Sequence, residues 1–246
     1  MAEIHHDSGG FQGRKKAPAA NVKPLRKYER FGETIRYLTV DEWLAFLSCI
    51  DQYDHKLMLR TLYELGCRVG EFVRIQLVHV DFVRGRVFFP RENTKTGKRR
   101  VSCLPPGLVN ELKSRLKLQG RMGIRSERPL KPAQYLFSPR KDCLEHYTEN
   151  RVRQIFRQYA QKAGLDRVYG QDAMGRRLHE LTVHSLRHAH VMHYVHLYKL
   201  PIAVVQKQVG HTSLKTTSVY LNPSDEAVSE AYRTAQQKGA AEYRKP

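Results

Sequence analysis

The stretch 184–220 opens H-S-L-R-H (184–188), continues through an apolar run to Pro201, and closes V-G-H-T-S-L-K-T-T-S-V-Y (209–220). Its punctuation is helical. Thr182 can cap a helix that carries His184, Leu186 and Arg187 onward to Tyr198. Pro201 suits the first turn of the next helix, Ile202 to Val209, and Gly210 is placed to stop it. Tyr220 falls in a short helical piece after Ser213 to Thr217. Asn222-Pro223-Ser224 then breaks the chain before an amphipathic helix from about Asp225 to Gln237. His184, Arg187, His211 and Tyr220 are a poor set for a core and a good one for a phosphate. They offer a planar cation, two proton carriers that titrate near neutral pH, and a phenol.

The same helical signals recur upstream. Thr39-Val40-Asp41-Glu42 fits a capping box opening a helix through about Cys49, with Trp43, Leu44, Phe46 and Leu47 for its buried face. A second helix spans Tyr53 to Leu65, where Leu57, Met58, Thr61, Leu62 and Leu65 repeat at helical spacing and Gly66 supplies the stop. Arg68 follows, then a short helical turn, V-G-E-F-V-R. The period then changes. Val78, Val80 and Phe82, next Val87, Phe88 and Phe89, and last Val101 and Leu104 read as three short strands. The basic loop T-K-T-G-K-R-R (94–100) makes a hairpin of the last two, with Gly97 at the turn. Helices return over Pro106–Leu118 and Glu149–Ala163, the second carried by Val152, Ile155, Phe156 and Tyr159. Residues 119–134 and 165–180 read as polar, basic loops, and Tyr135–Phe137 as a short extended piece. Residues 1–37 sustain no apolar period and read as a basic, flexible tail containing Arg14, Lys15 and Lys16. The pattern predicts a mainly α chain with a small antiparallel β-sheet, of α+β class. It forms one domain over 38–246, ending in a C-terminal helix.

Composition narrows the function. Lys plus Arg total 43 against 24 Asp plus Glu, a formal charge of +19 over 246 residues. An excess of that size on a chain with an ordinary core implies a polyanionic partner, nucleic acid before any other. No window approaches 18 uninterrupted apolar residues, so a membrane partner is not expected. The four cysteines (Cys49, Cys67, Cys103, Cys143) are scattered without a C-x-x-C pair, which fits reduced thiols in a cytoplasmic protein and argues against structural zinc. The histidines of H-A-H-V-M-H-Y-V-H (188–196) lack an acidic or cysteine companion, and helical geometry turns His190 away from His193 and His196.

Candidate chemistry sits just beyond helix ends and in loops, where rigid elements can aim side chains at one point. The candidates are Arg68, a lysine of the 95–98 loop, His184 with Arg187, His211 and Tyr220. Taken singly, each has a duller reading: an arginine after a helix is commonly a dipole partner, and a buried His or Tyr is commonly packing. Their order and spacing together resemble the tyrosine site-specific recombinases of the phage-integrase and Xer type, which share a catalytic-domain fold with type IB topoisomerases. L-G-C-R-V-G-E resembles the family's first arginine box, H-S-L-R-H its second, and V-G-H followed nine residues on by a tyrosine its third. The resemblance covers roughly residues 38 to 235.

That resemblance implies a catalytic set of Arg68, Lys95, His184, Arg187, His211 and Tyr220, with Glu71 and His188 in support. For the lysine, register against the family's hairpin favours Lys95, with Lys98 as the alternative. Arg68 and Arg187 would each neutralise a non-bridging oxygen as phosphorus becomes five-coordinate. Tyr220, with a reference pKa near ~10, needs help losing its proton, from His184 or His211. Lys95 would protonate the departing sugar oxygen. The implied reaction is site-specific DNA cleavage and rejoining through a 3′-phosphotyrosyl link, serving integration, inversion or multimer resolution, with no cofactor and no metal. A topoisomerase-like or telomere-resolving strand transferase is the alternative, and a non-catalytic DNA-binding accessory protein a more distant one. Implied partners are double-stranded DNA, a homotetramer on two DNA sites, and accessory DNA-binding proteins. The implied setting is the nucleoid of a bacterial cytoplasm. Further phosphate contacts are expected from Arg14, Lys15, Lys16, Lys98, Arg99 and Arg100. Two departures stand out. Only the 37-residue tail precedes the domain, where relatives carry an N-terminal clamp domain, which points to a minimal recombinase or a truncation. Ala189 stands where relatives often have Ser or Thr.

Overall fold

The computed structural model describes residues 28–30, 33–95, 97–123, 129, 131–210, 229, 232 and 233. Arg14, Lys15, Lys16, His211 and Tyr220 therefore lie outside the described residues, as does most of the segment read as a C-terminal helix.

Helices dominate. Thr39 opens α1 (Val40–Ser48) with a full capping box: its Oγ1 accepts from the Glu42 N–H at 3.3 Å, and Glu42 Oε2 accepts from the Thr39 N–H at 2.9 Å. Such caps are worth about 1 kcal/mol. Trp43 and Phe46 point inward, but Leu44, expected on the buried face, is 59% exposed. At 100° per residue it lies a quarter-turn beyond the contact stripe. In α2 (Tyr53–Leu65) every apolar residue of the repeat is buried, Leu57, Met58, Leu62 and Leu65 among them. The helix stops at Gly66, whose φ of +55° is left-handed. Arg68 then caps the five-residue α3 (Val69–Val73).

Strands β3 (Val80–Asp81), β4 (Arg86–Phe89) and β5 (Arg100–Cys103) follow as one antiparallel sheet in the order β3-β4-β5, with Phe89 opposite Arg100. They match the three short strands read from the change of period. Earlier in the chain, β1 (Tyr28–Arg30) and β2 (Glu33–Ile35) pair inside the segment read as tail. Tyr37 and Leu38 are already core residues, 6% and 0% exposed.

After α4 (Pro106–Leu118), α5 (Glu149–Lys162) buries Val152, Ile155, Phe156 and Tyr159. Phe156 packs on Phe46, with ring centroids 5.1 Å apart. The 165–180 loop of the sequence reading is in fact a β-hairpin, β6 (Val168–Gln171) with β7 (Arg177–His179), irregular at its start. Its turn is tied by Asp172, whose Oδ1 accepts from the Met174 and Arg176 N–H groups, both at 2.9 Å. Apolar alternation is nearly absent there, so no period announced it.

α6 (Val183–Met192) starts at Thr182 and continues as a π-helical turn over His193–Leu197. α7 (Ile202–Val209) ends at Gly210, φ +73°. α6 packs against α2, α5 and α7, while α7 lies on the edge strand β5. Here Gln208 substitutes for a strand: its Oε1 accepts from the Cys103 N–H and its Nε2 donates to the Cys103 carbonyl, each at 2.8 Å. Among the described residues no helix is long and apolar enough to cross a membrane.

Candidate active site

Each arm of the site is presented by the end of a rigid element. The chain leaves α2 at Gly66, and two residues later Arg68 stands at the start of α3. Glu71, 3% exposed, reaches back and fixes it: Oε2 accepts from the Arg68 N–H at 3.1 Å and Oε1 from Arg68 Nη1 at 3.3 Å. Burial by itself would raise the Glu71 carboxyl, but Arg100, the Arg68 N–H and the Arg68 guanidinium outweigh it and hold its pKa below the ordinary value. Glu71 is therefore an anion at neutral pH. Arg68 keeps a third of its side chain exposed.

Across from Arg68 the first turn of α6 carries His184. Desolvation, then the positive charges of Arg187 and Arg68, push its pKa down to about 4. His184 lines a cavity and is exposed to it; with its pKa lowered it is neutral at pH 7 and able to accept a proton. His188, one turn on, meets it edge to face at 4.6 Å between centroids.

The cavity measures about 690 Å³ and is lined by Arg68, Gly70, Glu71, Lys95 and His184 among others. That volume is in the range of ligand pockets. Lys95 enters it from the β4–β5 connection, in a turn held by Thr94, whose Oγ1 lies 3.0 Å from both the Arg91 and Lys98 carbonyls. Lys98 and Arg99 are exposed but do not line the cavity. Sequence reasoning overlooked Glu149, Arg153, Arg74 and Glu92 on the same walls. Gly70 explains the approach of Glu149, because a Cβ there would stand 2.6 Å from Glu149 Oε1. The only signal in the sequence was Gly70 itself.

Arg187 is 3% exposed and is not among the residues that line the cavity. Its Nη1 donates to the Gly66 and Val209 carbonyls, both at 2.6 Å, joining the ends of α2 and α7. Nη2 is buried and has no partner among the described residues. Desolvation and the nearby Arg68 charge lower its pKa to about 10, which leaves it protonated at neutral pH. A buried guanidinium with an unmatched N–H pair is a donor set for an anion. α7 in turn delivers the chain to position 211.

Arg100 does not face solvent as expected of a phosphate contact. Its side chain is 12% exposed, and its guanidinium bonds Glu71 Oε2, Ser102 Oγ and the Gln208 carbonyl. His193 is likewise internal: Nε2 donates to the Leu38 carbonyl at 3.0 Å, which leaves Nδ1 to accept from Tyr63 Oη at 2.8 Å.

The model of a family described as "Phage integrase family" matches residues 36–227. Among curated relatives, the "Tyrosine recombinase XerA" of Pyrococcus furiosus (strain ATCC 43587 / DSM 3638 / JCM 8422 / Vc1) is 27% identical over 201 residues, covering 80% of this chain and 61% of the relative. The chain spans about three-fifths of the length of the first such relatives. Among solved structures, the XerA recombinase superposes with a TM-score of 0.58 at 22% identity, over 81% of this chain and 64% of that one. The XerH site-specific recombinase bound to palindromic difH substrate, in a post-cleavage complex, gives 0.57 at 19% identity, over 80% and 52%.

Proposed function

The chain belongs to the phage integrase family and has the catalytic-domain fold of the tyrosine recombinases; from that premise we propose that it is a site-specific recombinase that breaks and rejoins DNA. One observation carries the reading. Arg68, Lys95 and His184, which come from three distant parts of the sequence, line one cavity, and the charge of Arg187 is close enough to lower the pKa of His184. The set suits a phosphodiester, a poor electrophile whose anionic oxygens repel an incoming nucleophile.

In this reading the Tyr220 oxygen attacks phosphorus and its proton passes to His184 or His211. The bond from phosphorus to the 5′ oxygen breaks as Lys95 gives that oxygen a proton. The products are a 3′-phosphotyrosyl link and a free 5′-hydroxyl. Attack by the 5′-hydroxyl of a partner duplex reverses each transfer and releases the tyrosine, so the bond energy is conserved and no nucleotide cofactor is consumed. Arg68 and Arg187 each neutralise a non-bridging oxygen, whose charge grows in the transition state. Neutral His184 fits the part of base, and a bound phosphate would draw its pKa back upward.

The partner is double-stranded DNA, supported by the charge of +19 and by the DNA-bound state of the XerH relative of the same fold. Lys98 and Arg99, exposed beside the Lys95 turn, would add phosphate contacts, as would Arg14, Lys15 and Lys16. Four copies on two duplexes, accessory proteins and a place at the bacterial nucleoid complete the reading.

The test is a duplex of the cognate site, recovered by sequencing DNA trapped on the protein in cells, with a nick beside the scissile phosphate. Wild type should accumulate a covalent protein–DNA adduct, and Tyr220→Phe should bind the same DNA without forming it. Absence of adduct with wild type on that site would sink the proposal. Relaxation of any supercoiled plasmid, regardless of site, would favour a topoisomerase instead.

A further inference from the structure

Arg100 lies at the centre of a connection that joins Arg68, the sheet and α7 through side-chain hydrogen bonds. Its Nη2 meets Glu71 Oε2 at 2.6 Å, and its Nη1 meets Ser102 Oγ at 2.6 Å and the Gln208 carbonyl at 3.1 Å. Its plane rests on the Phe89 ring, with Cζ 3.8 Å from the centroid. Gly210 completes the seat, since a Cβ there would stand 2.5 Å from Arg100 Cδ. Ser102 also donates to the Gln208 carbonyl, at 2.7 Å.

Two consequences follow from charge and geometry. Glu71 serves two guanidinium groups but unequally: 2.6 Å to Arg100 against 3.3 Å to Arg68 Nη1. The nearer cation neutralises most of the buried carboxylate, so Arg68 is aimed by Glu71 without being captured by it. The second consequence concerns α7. Helix C-terminal carbonyls lack partners and carry partial negative charge. Arg100 takes the Gln208 carbonyl and Arg187 the Val209 carbonyl, so two arginines hold the last turn before position 211. We propose that Arg100 is a positioning residue of the strand-transfer site, neutralising Glu71 so that Arg68 stays available to phosphate and tying that carboxylate to the end of α7. The inference rests on the strand-transfer reading above. A lysine cannot take its place, because one ammonium cannot reach three separate partners while stacking on Phe89.

The test compares wild type, Arg100→Met, Arg100→Lys, Glu71→Gln and Arg100→Met/Glu71→Gln, each verified as folded by urea titration. Two quantities are read: single-turnover cleavage of the nicked site at saturating protein, and DNA affinity against salt. Arg100→Met should cleave about 100-fold more slowly while affinity and salt slope stay at wild-type values. The double variant should recover at least tenfold of that loss, because the uncompensated carboxylate that captures Arg68 is gone. Arg100→Lys should fall between wild type and Arg100→Met. A salt slope reduced by about 1 with weaker binding would make Arg100 a phosphate contact and overturn the proposal. So would wild-type cleavage by folded Arg100→Met, or failure of the double variant to recover. If Arg100→Met does not fold, Arg100→Lys carries the cleavage test. If wild type forms no adduct, the strand-transfer reading fails. The Arg100–Glu71 link is then judged by stability alone: Glu71→Gln should at least halve the drop in urea midpoint caused by Arg100→Lys, and additive drops refute it.

Discussion

In the proposed mechanism Arg187 divides its two terminal nitrogens between architecture and chemistry. Nη1 holds the Gly66 and Val209 carbonyls together, and Nη2 is a buried donor with no partner among the described residues. The two duties make separable predictions. Arg187→Lys keeps a cation and can satisfy one of the carbonyls, so the chain should fold. It cannot also present a second donor in the guanidinium plane. Cleavage at saturating protein should fall by about 10²–10³-fold, the usual cost of one lost transition-state donor, and DNA affinity should change much less. Equal losses in cleavage and affinity would assign Arg187 to binding instead. The contrast with Arg100 is instructive at this scale. Arg187 lies inside the second box and Arg100 in the basic hairpin; the first has an N–H pair without a partner among the described residues, and the second has its guanidinium committed to Glu71, Ser102 and Gln208.

At the scale of elements the site depends on how α2 and α7 meet. Gly66 ends α2 with left-handed backbone, and its carbonyl takes Arg187. A Cβ at that position would sit 2.7 Å from Val209 Cγ1 and 2.9 Å from His190 Cδ2. Neither neighbour can retreat easily, since Val209 is 0% exposed and His190 1%. Gly66→Ala therefore combines a left-handed penalty with a clash inside the core, together about 2–4 kcal/mol. The expected result is a lower urea midpoint with an unchanged m-value, together with slower cleavage because α7 moves away from Arg187. A midpoint within experimental error of wild type would show that α2 and α7 are not packed as described. Gly97, by contrast, has open space around its Cβ direction and only its φ of +62° to defend, so its substitution should act on the Lys95 turn alone.

For the whole molecule, acid should be destabilising already where unfolded histidines gain their protons. Desolvation pushes down the pKa values of His55, His79, His193, His184 (to about 4) and His190 (to about 3), so each takes up its proton at a lower pH in the fold. In the unfolded chain they gain a proton near the ordinary value of about 6.5. Below that pH the unfolded state binds more protons, and stability falls until each folded pKa is passed. Glu64, raised chiefly by burial, works in the opposite direction. His190 isolates the effect. It is packed among Tyr63, Tyr194 and His193, with Arg187 near enough to disfavour its protonation. His190→Phe should be neutral or stabilising at pH 7. At pH 5 its advantage should grow by about 2 kcal/mol, the cost of 1.5 pH units below the unfolded value. Urea midpoints at the two pH values decide it, and an equal effect at both would mean His190 does not titrate between the two states. Much of this molecule was legible in the sequence. The capped helices, the glycine stops, the three strands and the family boxes are local patterns, set by backbone geometry and by apolar spacing within a few residues. The β6–β7 hairpin escaped because its strands carry almost no apolar alternation and are held by turn chemistry at Asp172. Tertiary structure alone decided that Lys95 shares a cavity with Arg68 and His184, that Arg187 clamps two helix ends, and that Arg100 turns inward to Glu71. Those outcomes depend on which buried charges and orphan carbonyls meet when elements far apart in sequence pack together. No local pattern encodes that meeting.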